Sequence, residues 1–196
     1  MIDYWTKEYD GYLDLHQNDK LVTAKDETSE DVHSAYLFQQ KAEDAIWDWH
    51  DNYNNQPFFL YYATQIIHGT LEAPDVFMER AELPVGIEDK LTGFNMKKYV
   101  ALNLMLDEII ANITCTLEAA GMADNTILIL ASDNGGQDII PGNTHPLRGQ
   151  KGSFFRGGVS VPAFIHSKML PSSARGSVYE GNVHVTGTLL SFDTEA

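Results

Sequence analysis

Asp133 and Asn134 stand side by side in "ILILASDNGGQ", directly after an apolar run and directly before two glycines. A carboxylate next to a carboxamide offers hard oxygen donors, the type that calcium and magnesium prefer over softer ligands. Two donors cannot fill a shell of roughly six to eight oxygens, so the rest must come from elsewhere in the fold, from water or from a substrate. Taken alone, the Asp-Asn-Gly-Gly run is more often a plain turn, because these residues tolerate turn backbone conformations. His68 lies a few residues beyond a second apolar run, in "FFLYYATQIIHGTLEAP". A loop histidine is more often a hydrogen-bonded structural residue than an acid, base or ligand. The third stretch, "HPLRGQKGSFFRGGVSVP", gathers Arg148, Lys151 and Arg156 among glycines. Near an anion the lysine would act as a point charge and an arginine as a fork; without one, the stretch is a solvated basic loop.

The overall charge makes that basic island informative. With 13 Lys and Arg against 28 Asp and Glu, the formal charge of the 196 residues is −15. Such a balance argues against nucleic acid or an anionic membrane as partner, since their phosphates need Lys and Arg neutralisation. An acidic protein that handles anions needs focused positive charge or a bound cation. No run of about 18 apolar residues is present, so no membrane span is expected. The start, "MIDYWTKEYDGYLD", lacks the basic and apolar regions of a signal peptide. The single cysteine, Cys115, permits no internal disulfide and no thiolate cluster. It is expected as a small buried residue in a helix, or as half of a disulfide with a partner outside this chain.

The elements that must position these residues follow from periodicity. Residues 1 to 33 are polar and turn-rich and predict loops and short strands. From Ser34 to about Tyr53, Leu37, Ala42, Ala45, Ile46 and Trp49 recur on one face of an amphipathic helix. "QPFFLYYATQ" predicts a strand covered on both faces, and Trp47, Trp49, Phe58, Phe59, Tyr61 and Tyr62 are expected to fill core and interlayer space. Lys97 to Ala120 predicts a long surface helix through Leu106, Ile109, Ile110, Ile113 and Leu117, capped by Gly121. "NTILILAS" predicts a buried strand, and "VSVPAFI" an edge or irregular strand because of Pro162. This alternation makes the fold class α/β, a mixed, mostly parallel sheet sandwiched by helices, with ligands expected at strand ends.

Taken together and in this order, "QPFFLYYATQIIHGTLEAP", "NTILILASDNGGQ" and "PLRGQKGSFFRGGVSVPAFIHS" resemble the sulfatase family, especially the group that includes arylsulfatase B. The similarity runs from "DYWTKEYDGYLD" to about Val185, nearly the whole chain. It implies an alkaline-phosphatase-like fold and calcium-dependent hydrolysis of sulfate esters, either aryl sulfates or sulfated sugars such as N-acetylgalactosamine 4-sulfate. By position it implies that Asp133 and Asn134 ligate one calcium ion, while His68 and Lys151 contact the sulfate ester. His68 would hydrogen-bond the sulfate or help protonate the leaving oxygen. The family's nucleophile is a formylglycine made from a cysteine in C-x-P-x-R.

That motif does not occur here, and Cys115 sits in "NITCTLEAAG". The family's first-strand aspartates and lysine–histidine motif are absent too, as is its smaller C-terminal domain. Gly187 replaces a usual aspartate, Arg156 a common glutamate and Ser160 a common arginine. The expectation is therefore a middle-to-late portion of a sulfatase catalytic domain over residues 1–196, inactive alone. The alternative is a non-catalytic calcium-binding paralogue or partner-binding pseudoenzyme; a phosphate-ester hydrolase of the same superfold ranks lower. "NIT" at Asn112 fits a glycosylation acceptor, consistent with the lysosomal or secreted location usual for the family. Asp107 is read as structural, and His145 and Arg148 as lesser candidates for the pocket.

Overall fold

Helix-forming stretches account for most of the buried surface in the computed structural model, which describes residues 16–21, 32–83, 93–137 and 141–184. The chain first makes a small antiparallel hairpin, β1 (His16–Gln17) and β2 (Lys20–Leu21), turning through Asn18 at φ 55°. This agrees with short strands near the start; residues 1–15 and 22–31 of that stretch lie outside the described residues.

Helix α1 (Ser34–Asn52) follows the predicted bounds and buries Ala35, Ala42 and Ile46 on one stripe. Its N-cap is His33, whose Nδ1 accepts a hydrogen bond from the Ala35 amide at 3.2 Å. Helix α2 (Asp75–Arg80) starts after Pro74 and inserts Phe77 fully into the core. Arg80 packs its guanidinium over the Phe77 ring and donates to Glu108 Oε2 at 3.0 Å, fastening α2 to the next helix.

Helix α3 (Gly93–Ala119) is the central element rather than a surface one. Ala101, Leu102, Met105 and Ile109 are buried with Ala35, Ile66, Phe77 and Ala81, so α1 and α2 both pack on it. Burial of a side chain the size of Met105 or Ile109 contributes about 1.5–3 kcal/mol. Of the expected stripe, Ile109 and Leu117 are buried while Leu106, Ile110 and Ile113 are half-buried. The helix ends as predicted at Gly121 (φ 69°), where Gly121 N donates to Glu118 O and Met122 N to Leu117 O. That pairing is a Schellman cap, and Met122 packs on the Leu117 cluster as the cap's apolar contact. By length and composition alone Met96–Ala119, with mean hydropathy 1.4, is long and apolar enough to cross a membrane, although Asp107 and Glu108 interrupt its apolar run. Here it is the helix around which the core forms. Cys115 lies in α3 as predicted but is exposed, because its position faces away from α1 and α2.

A short 3-10 turn (Ala123–Asn125) leads into β3 (Leu128–Ala131), which pairs antiparallel with β4 (Ala163–His166), Ile129 opposite Ile165 and Leu130 opposite Phe164. Both strands were expected, and β4 begins just after Pro162. Among the described residues the expected mostly parallel sheet is represented by this antiparallel pair, and β3 is alternately half-buried and exposed rather than buried. The segment 56–65 forms no strand, contrary to expectation. Phe59 and Tyr61 are exposed, whereas Phe58 and Tyr62 pack against the helical core. No neighbouring strand accompanies it among the described residues, and an apolar run alone does not make a ladder. Trp47 is likewise exposed, while Trp49 packs near Phe58 and donates from Nε1 to Gln56 O.

Candidate active site

Three loops meet at one place. The first leaves the aromatic segment and is pinned by Ile66, buried in the helical core. The next residue, Ile67, has φ 70°, a left-handed conformation that a β-branched side chain rarely adopts. Such strain costs about 1–3 kcal/mol and persists only where neighbours over-determine it. Its effect is to turn His68 outward into solvent. His68 Nδ1 lies 2.7 Å from the Gly69 carbonyl, which only accepts, so Nδ1 carries the proton.

The second loop follows β3. Ser132 N donates to Pro162 O, extending the β3–β4 ladder, and the Ser132 hydroxyl donates to the Asn134 carbonyl at 3.1 Å. Asn134 Nδ2 donates to Gly135 O at 3.2 Å, which leaves its Oδ1 as the acceptor end. Asp133 beside it is exposed. Gly135 then donates to the Gly158 carbonyl, and a Cβ on Gly135 would collide with the carbonyl of Gly157. The glycines after Asp133 and Asn134 are thus required by close backbone approach, not by a free turn.

The third loop is the basic one. Gly157 N donates to Arg148 O, Thr144 Oγ1 to Gly149 O, and the Arg148 guanidinium lies 3.8 Å from the Phe155 ring centre. A short helical turn, α4 (Arg156–Val159), closes it. The loop holds Lys151 by its backbone, since Lys151 N donates to Gly136 O at 2.9 Å. Lys151 Nζ lies 3.1 Å from His68 Nε2, a contact between residues 83 apart in the chain. With Nδ1 protonated, Nε2 has a lone pair, so the ammonium donates and the imidazole accepts.

The structure therefore brings together His68 and Lys151 by their side chains, and ties Lys151 through Gly136 to the loop that carries Asp133 and Asn134. His145 is exposed and its amide is held by Asn143 Oδ1. Arg148 is committed to the Phe155 ring, and Arg156 stands at the start of α4. Asn112 is half-buried on α3, with the Thr114 hydroxyl donating back to Ile110 O. Gly187 lies outside the described residues. Sequence reasoning missed Ile67, whose positive φ has no signal in residue type, and the Arg148–Phe155 stack, whose two members were legible only as a cation and an aromatic.

For calcium, Asp133 and the Asn134 Oδ1 fit as two adjacent hard donors. Among the described residues, no group of three or more His, Cys, Asp or Glu is placed to hold a metal. The fit is thus in donor type and covers part of a coordination shell.

Comparison with known proteins adds to this geometry. The sulfatase family model matches residues 3–192. The chain is 35% identical over 176 residues to arylsulfatase J of Mus musculus, covering 90% of this chain and 27% of that protein. It is 31% identical over 119 residues to a sulfatase of Formosa agariphila, covering 55% of this chain and 20% of that one. The crystal structure of Ps i-CgsB in complex with k-i-k-neocarrahexaose superposes with a TM-score of 0.63 and 27% identity over 72% of this chain and 30% of that one. The chain thus spans about a quarter of the length of the curated relatives it matches.

Proposed function

The chain belongs to the sulfatase family, and from that premise we propose that it supplies the sulfate-binding side of a sulfuric ester hydrolase active site. The observation that carries this is the 3.1 Å contact between Lys151 Nζ and His68 Nε2. It brings a cation and a histidine from two distant loops to one point in an acidic chain, as an anionic sulfate group requires. Lys151 offers further ammonium protons to sulfate oxygens beyond the one held by His68. With Nδ1–H fixed on Gly69 O, His68 keeps Nε2 turned to the site, and it would pass a proton to the leaving oxygen of the ester only after taking one, as from the Lys151 ammonium that it faces. Asp133 and Asn134 would hold calcium, which when bound offsets negative charge on sulfate oxygens.

The substrate class is a sulfate ester of an aryl alcohol or a sugar; the neocarrahexaose complex of the related structure favours the sugar. Cys115 is exposed on α3 and outside any C-x-P-x-R, so it is not the nucleophile, and the chain alone is expected to show no turnover. Glycosylation at Asn112 and a secreted or lysosomal location belong to the same reading. The alkaline-phosphatase-like sheet, mostly parallel in order, belongs to it as well, with this chain as the middle-to-late portion of the catalytic domain.

Titration of the chain with inorganic sulfate in the presence of calcium tests the reading. Lys151→Ala should weaken sulfate binding about ten- to a hundredfold, the loss of one charge-assisted contact of about 1.5–3 kcal/mol. Equal affinity in both proteins would overturn the assignment of Lys151. The second reading, a non-catalytic calcium-binding family member, draws on the same position of Cys115. It expects calcium to raise the melting temperature and Asp133→Ala to remove that rise, because a ligand of the native state stabilises it. Sulfate-ester turnover by the purified chain, lost in Lys151→Ala, would exclude it.

A further inference from the structure

His33 is bonded at both ring nitrogens. Nδ1 accepts from the Ala35 amide at 3.2 Å, so the proton must be on Nε2, which donates to the Glu72 carbonyl at 3.0 Å. One imidazole thus caps α1 and ties it to a backbone carbonyl 39 residues away. Glu72 stands at the exit of the loop that carries His68, and the entry of that loop is Ile66, buried in the core. Between these two anchors lies Ile67 at φ 70°. A strained residue keeps its conformation only while its surroundings over-determine it, here through the packing of Ile67 on the core and the two anchors of its segment. Freeing the exit would let Ile67 relax toward ordinary negative φ and rotate His68 away from Lys151.

The space under the loop supports this. A cavity of about 70 Å³ separates the start of α1 from the loop, with His33, Ser34 and Phe38 on one wall and Ile67, His68 and Glu72 on the other. Ile67 and Leu71 pack against the helical core, and the gap is lined by His33 and Glu72. The His33 ring bridges it.

We infer that His33 is a positioning residue for His68, acting through its hydrogen bond to the Glu72 carbonyl rather than through its cap on α1. The inference rests on the reading of His68 as a sulfate contact, but the geometry of the loop can be tested apart from it. Two substitutions separate the two bonds. Asparagine places an oxygen near the position of Nδ1 and keeps the cap, whereas glutamine places an amide near Nε2 and keeps the bond to Glu72.

The test records long-range proton–nitrogen spectra of the imidazole rings in the full chain at about pH 8, where an ordinary histidine is neutral, together with affinity for inorganic sulfate. The wild type should show His68 with Nδ1 protonated. His33→Gln should keep that signature and a sulfate affinity within about twofold. His33→Asn should lose it, mixing the two tautomers and weakening sulfate about five- to tenfold, with helix content unchanged. The reverse pattern, or wild-type spectra in both variants, overturns the inference. If wild-type chain binds no sulfate, the functional reading fails while the His68 tautomer in the two variants still decides the role of His33.

Discussion

At the scale of single residues, the site depends on which polar atoms are satisfied and which are not. His33 and His68 donate from opposite ring nitrogens, Nε2 and Nδ1, each to a backbone carbonyl. Gln39 Oε1 and Tyr62 Oη, by contrast, are buried without a hydrogen-bond partner among the described residues. The Tyr62 phenol is pushed above its ordinary value of 10.0, chiefly by burial; the Thr64 hydroxyl counters this in part but makes no well-formed bond to Oη, and Glu43 adds to the rise. Tyr36 is raised as well, again mainly by burial. A raised phenol keeps its proton in the folded chain after the unfolded chain has lost it. Its contribution to stability is therefore complete below the unfolded value near 10.0 and declines as pH rises through the folded value. Tyr62→Phe should make this alkaline decline shallower and, by removing an unsatisfied hydroxyl, raise stability at neutral pH by about 1 kcal/mol. Denaturant titrations at neutral and alkaline pH measure both; an unchanged alkaline slope would show that Tyr62 is not responsible.

At the scale of elements, what was legible in the sequence divides by range. Helices α1 and α3 and the Gly121 cap were legible because their hydrogen bonds are local and their apolar spacing repeats within a few residues. The aromatic segment 56–65 forms no strand although its composition predicts one, because an apolar run specifies burial but not the partner that makes a strand. His33 carried no signal as a cap, since Ser, Thr, Asp and Asn are the usual choices and its second partner is 39 residues away. The three chemistry-bearing loops were legible as motifs, but their meeting was not. It depends on glycines at which two backbones touch. A Cβ on Gly157 would strike the carbonyl of Gly149, and one on Gly135 the carbonyl of Gly157. Gly157→Ala should therefore cost about 2–4 kcal/mol, as backbone has to move rather than a side chain. It should also abolish sulfate binding while leaving α1 to α3 folded. Retained affinity together with unchanged thermal stability would show that the loops tolerate separation.

At the scale of the whole molecule, the helical core and the sheet pair are unequally covered. Phe77, Ile46, Met105 and Ile109 are fully buried around α3, whereas every residue of β4 is exposed. On β3 the half-buried Leu128 and Leu130 alternate with the exposed Ile129 and Ala131. Leu128 and His166 line a small cavity with Thr114 and Leu117, so this face of the pair lies toward α3. The opposite face presents Ile129 and its cross-strand partner Ile165, 42% and 59% exposed, with no cover among the described residues. Exposed Phe59 and Tyr61 add further apolar surface. An α/β fold has apolar strands because helices cover both faces; an apolar strand pair left open on one side is a template for association. The purified chain should therefore associate in a concentration-dependent way. Ile165→Lys places a charge on the open face without touching the helical core, and should shift sedimentation toward monomer at unchanged helix content and melting temperature. If the substitution unfolds the chain instead, the face is packed in solution and Ile165 belongs to the core. If association persists unchanged, the surface that drives it lies elsewhere, and Phe59 and Tyr61 become the residues to substitute next.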